Sequence, residues 1–379
     1  MTTIHKTKKV MTEVLIQQLN NSDINWMIAN GSRQQLASNT ILFRQQNSVN
    51  SLYIVLDGSL SATVKSNSES VLALSFSALE DDSDLEQEIG RFSSGDVLGE
   101  TSVLNLSPAA TAVKATEKST VLVLPRQKLL GKLRQDADFA CRFYRAIAIL
   151  QQNRFDQLIQ QFIRRQNLKI SPLQDIPLLF GELSDSDVDW IVRYSRVEEI
   201  AADTILIREN RPVETLYLLL RGTVSVAFNE NSSSSFASVF SMLENLEESE
   251  ESPGYEIAQL TRGEITGEMA LIDTRLSAYS FKALENLQVL AIDKQQLSIE
   301  LQQNPAMGTR FLRAIAMLIS AKMQALIGCI GYGESTYRME KSLSKNDRYA
   351  DEIDVNMMDD LSLGGARFDW MLRRLKILV

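Results

Sequence analysis

Apolar and polar positions along the chain fall into a series that occurs twice. A short amphipathic segment, Ser22–Ala29, precedes the runs LYIVLDGSLSATV, TAVKA and STVLVLP, whose period of two predicts strands. The series returns as Ser186–Tyr194, then LYLLLRGTVSVAF, YSFKA and LQVLAID. The DG and RG pairs inside the first run of each series predict hairpin turns. Each series closes on a helical period: Phe143, Ile147, Leu150, Leu158 and Phe162 in the first, Phe311, Ile315, Leu318 and Leu326 in the second. The expected unit is a compact β-roll or barrel with helices at both ends.

The two series are copies of one another. At an offset of 164 residues, ASNTILFRQQNSVNSLYIVLDGSL lies on AADTILIRENRPVETLYLLLRGTV without a gap. At an offset of 168, Gly99–Ile159 lies on Gly267–Ile327, with RFYRAIAIL on RFLRAIAML. A duplicated domain follows. It divides the chain into residues 1–165, residues 166–332 and a tail of residues 333–379, in an α+β fold class.

Between the matched stretches sit two inserts of unusual charge. Ser66–Gly90 and Asn229–Ala258 each hold seven acids and no Lys or Arg. These fourteen acids exceed the whole net charge of −9, so the rest of the chain is net basic. Composition of this kind predicts solvated hairpin extensions or an acidic docking surface for a basic partner. The negative balance argues against a nucleic-acid partner held by phosphate neutralisation. A lone histidine, His5, leaves no histidine base for catalysis, and Cys141 and Cys329 lie too far apart for a zinc motif. No enzyme, metal or obligatory cofactor is expected. Sparse cysteine and no signal-peptide core predict a cytoplasmic protein, or one peripheral to a membrane complex.

Two stretches carry a family resemblance: LYIVLDGSLSATV with FSSGDVLGETSVLNLSPAATAVKA, and LYLLLRGTVSVAF with LTRGEITGEMALIDTRLSAYSFKA. Their order of strands, G-(D/E)-x-x-G-E, cassette and strand resembles the cyclic nucleotide-binding domain of catabolite-activator-type regulators and kinase A regulatory subunits. The resemblance implies jelly-roll-type β-rolls with flanking helices, a cyclic nucleotide as the ligand to test, and protein partners. It implies a pocket in each copy. Gly99, Glu100, Thr101 and Ser102, like Gly267, Glu268, Met269 and Ala270, would open the phosphate turn, with backbone N–H groups facing the anion. The glutamate would accept a hydrogen bond from the ribose. The family's phosphate-binding arginine falls on Ala109, beside Ala110 and Thr111, and on Ser277, beside Ala278. Neither can neutralise a phosphate. Losing that charge-assisted contact costs about 1.5–3 kcal/mol, roughly 10–100-fold in affinity. Arg275 is the nearest arginine to the second slot. Lys114 and Lys282, between buried-type neighbours on a strand, should point outward.

The tail adds a separate feature. An acidic stretch, Asp347–Asp360, leads to GGARFDWMLRRLKILV. Arg367–Val379 reads as an amphipathic helix after a break at Gly364–Gly365. Docking onto the chain's own domains, a membrane surface and a partner groove all suit it. The partner reading assigns Arg367, Phe368, Trp370, Met371, Leu372 and Leu375 to the contact. A tandem pair with such a tail also resembles bacterial bacteriocin-type transport-associated proteins, which would make the partner a membrane transport system or another large assembly. The expectation is therefore a regulatory or adaptor protein with two degenerate rolls, the alternative being a cyclic AMP or cyclic GMP sensor working through the second. The wide apolar faces of the long helices further suggest a homodimer.

Overall fold

The computed structural model describes residues 14–65, 86–104, 108–166, 175–228, 255–272, 275–332 and 355–377. In the first copy, helix α1 (Asn21–Asn30) leads into β1 (Ser32–Leu36), β2 (Ile41–Phe43), β3 (Ser51–Asp57), β4 (Ser59–Lys65), β5 (Glu86–Ser93) and β6 (Val97–Leu98). A one-turn helix α2 (Glu100–Val103), β7 (Ala112–Ala115), β8 (Ser119–Pro125), α3 (Arg126–Gln135) and the long α4 (Ala137–Gln166) complete it. The strands form two antiparallel sheets, ordered β1-β8-β3-β6 and β2-β7-β4-β5. That order is a jelly roll.

The second copy begins with α5 (Asp175–Glu182) and α6 (Asp185–Tyr194). Its strands are β9 (Ser195–Ile200), β10 (Ile205–Ile207), β11 (Thr215–Arg221), β12 (Val224–Phe228), β13 (Tyr255–Leu260), β14 (Ile265–Thr266), β15 (Ser280–Ala283) and β16 (Leu287–Asp293). The turn α7 (Met269–Ile272), α8 (Lys294–Gln303) and α9 (Pro305–Tyr332) follow, then the tail helix α10 (Val355–Arg374). Its sheets, β14-β11-β16-β9 and β10-β15-β12-β13, repeat the first roll's order strand for strand. The expected pair of equivalent rolls is what forms.

Alternation decides which side chains enter each roll. Leu52, Leu60, Val64, Val121 and Leu124 are fully buried in the first, and Leu219, Val224, Ala283, Val289 and Leu290 in the second. Lys114 and Lys282 do point outward, to Glu86 at 4.0 Å and Asp203 at 2.7 Å. The hairpin reading of DG and RG needs correction. β3 pairs with β8 and β6, whereas β4 pairs with β5 and β7, so the turn carries the chain from one sheet to the other. Gly58 has φ +86, and a Cβ there would stand 2.3 Å from Ser119 Oγ. The corner needs glycine for both reasons.

A repeated ion pair closes each copy. Asn20 and Asp23 form a capping box on α1, and Arg142 of α4 grips the buried Asp23 carboxylate at 2.7 and 3.0 Å. Ser184, Asp187 and Arg310 do the same around α6 at 2.6 and 2.9 Å. Burial pushes the Asp187 carboxyl up, but Arg310 and the Ser184 donors outweigh it and hold the pKa below the ordinary value.

The described residues group into two compact units: Met1–Arg165 with Ala316–Val355, and Gln166–Ile315 with Asn356–Val379. The middles of the long helices are buried on every side, not along one stripe. Every residue from Ala146 to Phe155 and from Ala314 to Ser320 is buried. A helix of this kind belongs to a core, and the homodimer expected through the long helices finds no support. Most of the two acidic inserts, residues 66–85 and 229–254, lies outside the described residues. The anticipated break at Gly364–Gly365 is absent, because α10 runs through both glycines.

Candidate functional site

The turn after β6 is built on a glycine. Gly99 has φ +78, and a Cβ on it would fall 2.5 Å from the Ser51 carbonyl of β3. Gly267 repeats this at φ +89 against Thr215 O, also at 2.5 Å. Each glycine lets the turn press against the adjoining strand, with Glu100 opening α2 and Glu268 in the turn just before α7. In the first roll, Ser102 Oγ donates to Gly99 O at 2.6 Å, and Arg126 Nε donates to Ser102 O at 2.7 Å. The acids before each glycine cap the preceding turn: Asp96 accepts from Ser93 N at 2.7 Å, and Glu264 from Thr261 N at 2.6 Å.

Glu100 is only 6% exposed, and its partner is inside the chain. Arg154, from the middle of α4 and 9% exposed, donates through Nη1 to Glu100 Oε1 at 2.5 Å. Its Nη2 donates to the Val97 carbonyl, and its guanidinium lies 4.9 Å from the centre of the Phe92 ring. A carboxylate taken out of water is thus neutralised, hydrogen-bonded and covered by residues of the same unit. The family motif did not point to Arg154. At the 168-residue offset, position 154 matches Lys322, so a cation stands at the same place in both long helices.

The arginine slots are filled by backbone bridges. Ala109 is buried; its carbonyl accepts from Gln46 N at 2.8 Å and its N–H donates to Asn47 O at 3.2 Å. Ser277 makes the same pair with Asn210 at 2.8 Å and Arg211 at 3.0 Å. Gln46 and Asn210 hold the bridges with left-handed φ values of 64° and 57°. The Ser277 hydroxyl is spent on Tyr279 O at 2.7 Å. Thr101, Ala110 and Thr111 are half-buried near the first turn, while Glu268 and Met269 are half-buried at the second. Ala278 and Arg275 are exposed, and the Ala270 side chain lies outside the described residues.

Two stretches, residues 33–136 and 197–304, match the cyclic nucleotide-binding domain model and together make up more than half of the chain. The chain belongs to the cyclic nucleotide-binding domain family. The two family matches fall on the two rolls, and within them the Gly-Glu turns occupy equivalent places. No curated protein matches the chain in sequence. Among solved structures it is similar to a cAMP-bound PKA regulatory chain, PfPKA-R, with 15% identity, TM-score 0.29, and 79% of this chain and 85% of that one covered. The regulatory domain of Toxoplasma gondii PKA with cAMP gives 17% identity, TM-score 0.28 and coverages of 83% and 96%. The regulatory subunit of a cAMP-independent protein kinase A from Trypanosoma brucei gives 15%, 0.27, 79% and 84%. These matches give no support to the bacteriocin-type transport resemblance.

The six tail residues assigned to a partner sit on the second unit. Gly364 of α10 packs so closely on α5 that a Cβ would stand 2.1 Å from Pro177 O and 2.8 Å from Gly181 N. Phe368 meets Phe180 at 5.8 Å between ring centres, and Met371 and Leu372 are buried. Arg367 donates to Asp185 at 2.8 Å and to the carbonyls of Phe180 and Gly181 at 3.0 and 3.2 Å, where α5 ends. A cation there complements the helix dipole. Leu375 is half-buried, and Trp370 stays 40% exposed. Docking onto the chain's own domain therefore uses the Phe368 face of the helix.

Proposed function

We propose that this chain is a non-enzymatic regulatory protein of the cytoplasm that acts through contacts with other proteins, and whose first roll is closed to ligand. The observation carrying this reading is the Arg154–Glu100 pair. The carboxylate that would greet a ribose hydroxyl is already neutralised, and a methyl group, Ala109, stands where the family's phosphate-binding arginine falls. An incoming cyclic nucleotide would have to break a buried ion pair and bury its phosphate without a guanidinium. Both steps oppose binding.

The second reading is a cyclic nucleotide sensor working through the second roll. It is favoured by Glu268, which is half-buried where Glu100 is buried. Gain of binding tests the leading reading. The variant carrying Ala109→Arg with Arg154→Gln should acquire a fluorescent cyclic AMP analogue at the first roll, read by anisotropy. Wild-type protein that already binds the analogue through its first roll overturns the reading.

A further inference from the structure

Helix α5 is held at both ends, by two different parts of the second unit. At its start, Ile176 N donates to Gly263 O at 2.9 Å, and the buried Asp175 carboxylate accepts from Ile265 N at 3.2 Å. Both partners belong to the stretch that leads from β13 through β14 into the Gly267–Glu268 turn. That stretch is tied to β11 as well, by Leu219 N to Glu264 O and Gly263 N to Leu219 O, each at 2.9 Å. The end of α5 is held by the tail. Arg367 donates to the Phe180 and Gly181 carbonyls, and Gly364 lies against Pro177 O and Gly181 N.

Only the 8 residues of α5 lie between the docked tail and the stretch that carries Glu268. So short a helix shifts as one piece, because moving one end alone breaks its internal hydrogen bonds. Backbone meets backbone at Gly364, so no long side chain there can stretch to follow a shifting α10. The rim of the contact is easier to open. Its ion pairs, Arg367–Asp185 and Arg374–Asp189, use carboxylates that water reaches and can solvate in their place. Neither α5 nor α10 lies within residues 197–304, where the second roll matches the family, so the connection is added to the domain from outside it.

We propose that α10 is a regulatory strap on the second roll: docked on α5 it fixes the stretch leading to Glu268, and undocked it lets that stretch move. The coupling runs both ways, so whatever shifts the Gly267–Glu268 turn also changes how firmly the tail docks. It is a property of the unit and holds whether or not the roll takes a ligand.

Amide hydrogen exchange on the full chain without ligand, read by mass spectrometry, tests this. Gly364→Ala and Arg367→Met undock α10 differently, the first by a clash and the second by removing the bonds to Asp185, Phe180 and Gly181. In each, the amides of α10 and of residues 263–268 should exchange about tenfold faster or more. Strands β12 and β15 of the other sheet, and residues 95–100 of the first roll, should keep their rates. Gly365→Ala, where a Cβ meets nothing within 4 Å, should speed none of them. Faster exchange confined to α10, or equal acceleration in β12 and β15, would overturn the proposal. So would an α10 that stays protected in both variants.

Discussion

Replacing Gly364 by alanine should undock the tail, whereas the same change one residue later should not. In an isolated helix both substitutions are favourable, by about 0.5–1 kcal/mol, because glycine is the poorer helix former. The surroundings separate them. A Cβ at position 364 meets Pro177 O at 2.1 Å and Gly181 N at 2.8 Å, both backbone atoms that cannot swing aside. A Cβ at Gly365 meets nothing within 4 Å. Relief at position 364 requires α10 to lift from α5, loosening Phe368, Met371 and Leu372. Each is worth roughly 1.5–3 kcal/mol when fully enclosed. Partial loss of three such side chains, less the gain in helix propensity, leaves a net destabilisation of about 2–4 kcal/mol. Urea denaturation followed by tryptophan fluorescence reads the difference, since Trp370 sits on the moving helix. The midpoint should fall for Gly364→Ala and rise slightly for Gly365→Ala. Equal midpoints, or a more stable Gly364→Ala protein, would refute the packing argument.

Three further outcomes follow from the same geometry. Arg154→Leu should cost roughly 3–5 kcal/mol by stranding Glu100 in the core, and adding Glu100→Gln should recover much of it; thermal melts of the two variants check this. Because the folded Asp187 pKa is depressed, its contribution is present above the unfolded value of about 3.8 and is lost as pH falls through the lower folded value. Asp187→Asn should therefore be less stable than wild type at neutral pH and converge on it in acid, as denaturant titrations across that range would show. Gln46→Gly should stabilise the first unit by up to about 1 kcal/mol through its left-handed backbone, with a lowered midpoint as the contrary result.

The repeat made most of the fold legible. Two copies of one pattern, matched in two ungapped stretches, can only be two copies of one roll, and the identical sheet orders bear this out. The Gly-Glu turns were legible because a left-handed glycine against a strand has a fixed place in the motif. Asp57–Gly58 was misread because hairpins and sheet-to-sheet corners both want a glycine with positive φ between alternating runs. Only non-local pairing, with β8 rather than β4, distinguishes them. Gly364–Gly365 looked like a helix break because the α5 backbone that makes Gly364 useful lies far away in sequence. Arg154 was hidden for the same reason: Glu100 is 54 residues distant, and no local pattern joins them.

Calorimetric titration of the full chain with cyclic AMP and with cyclic GMP measures the number of sites directly. The account predicts no site, or one site per chain that Glu268→Gln abolishes, because the first roll's glutamate belongs to Arg154 and its slot holds Ala109. Two sites per chain, or micromolar binding that survives Glu268→Gln, would contradict it.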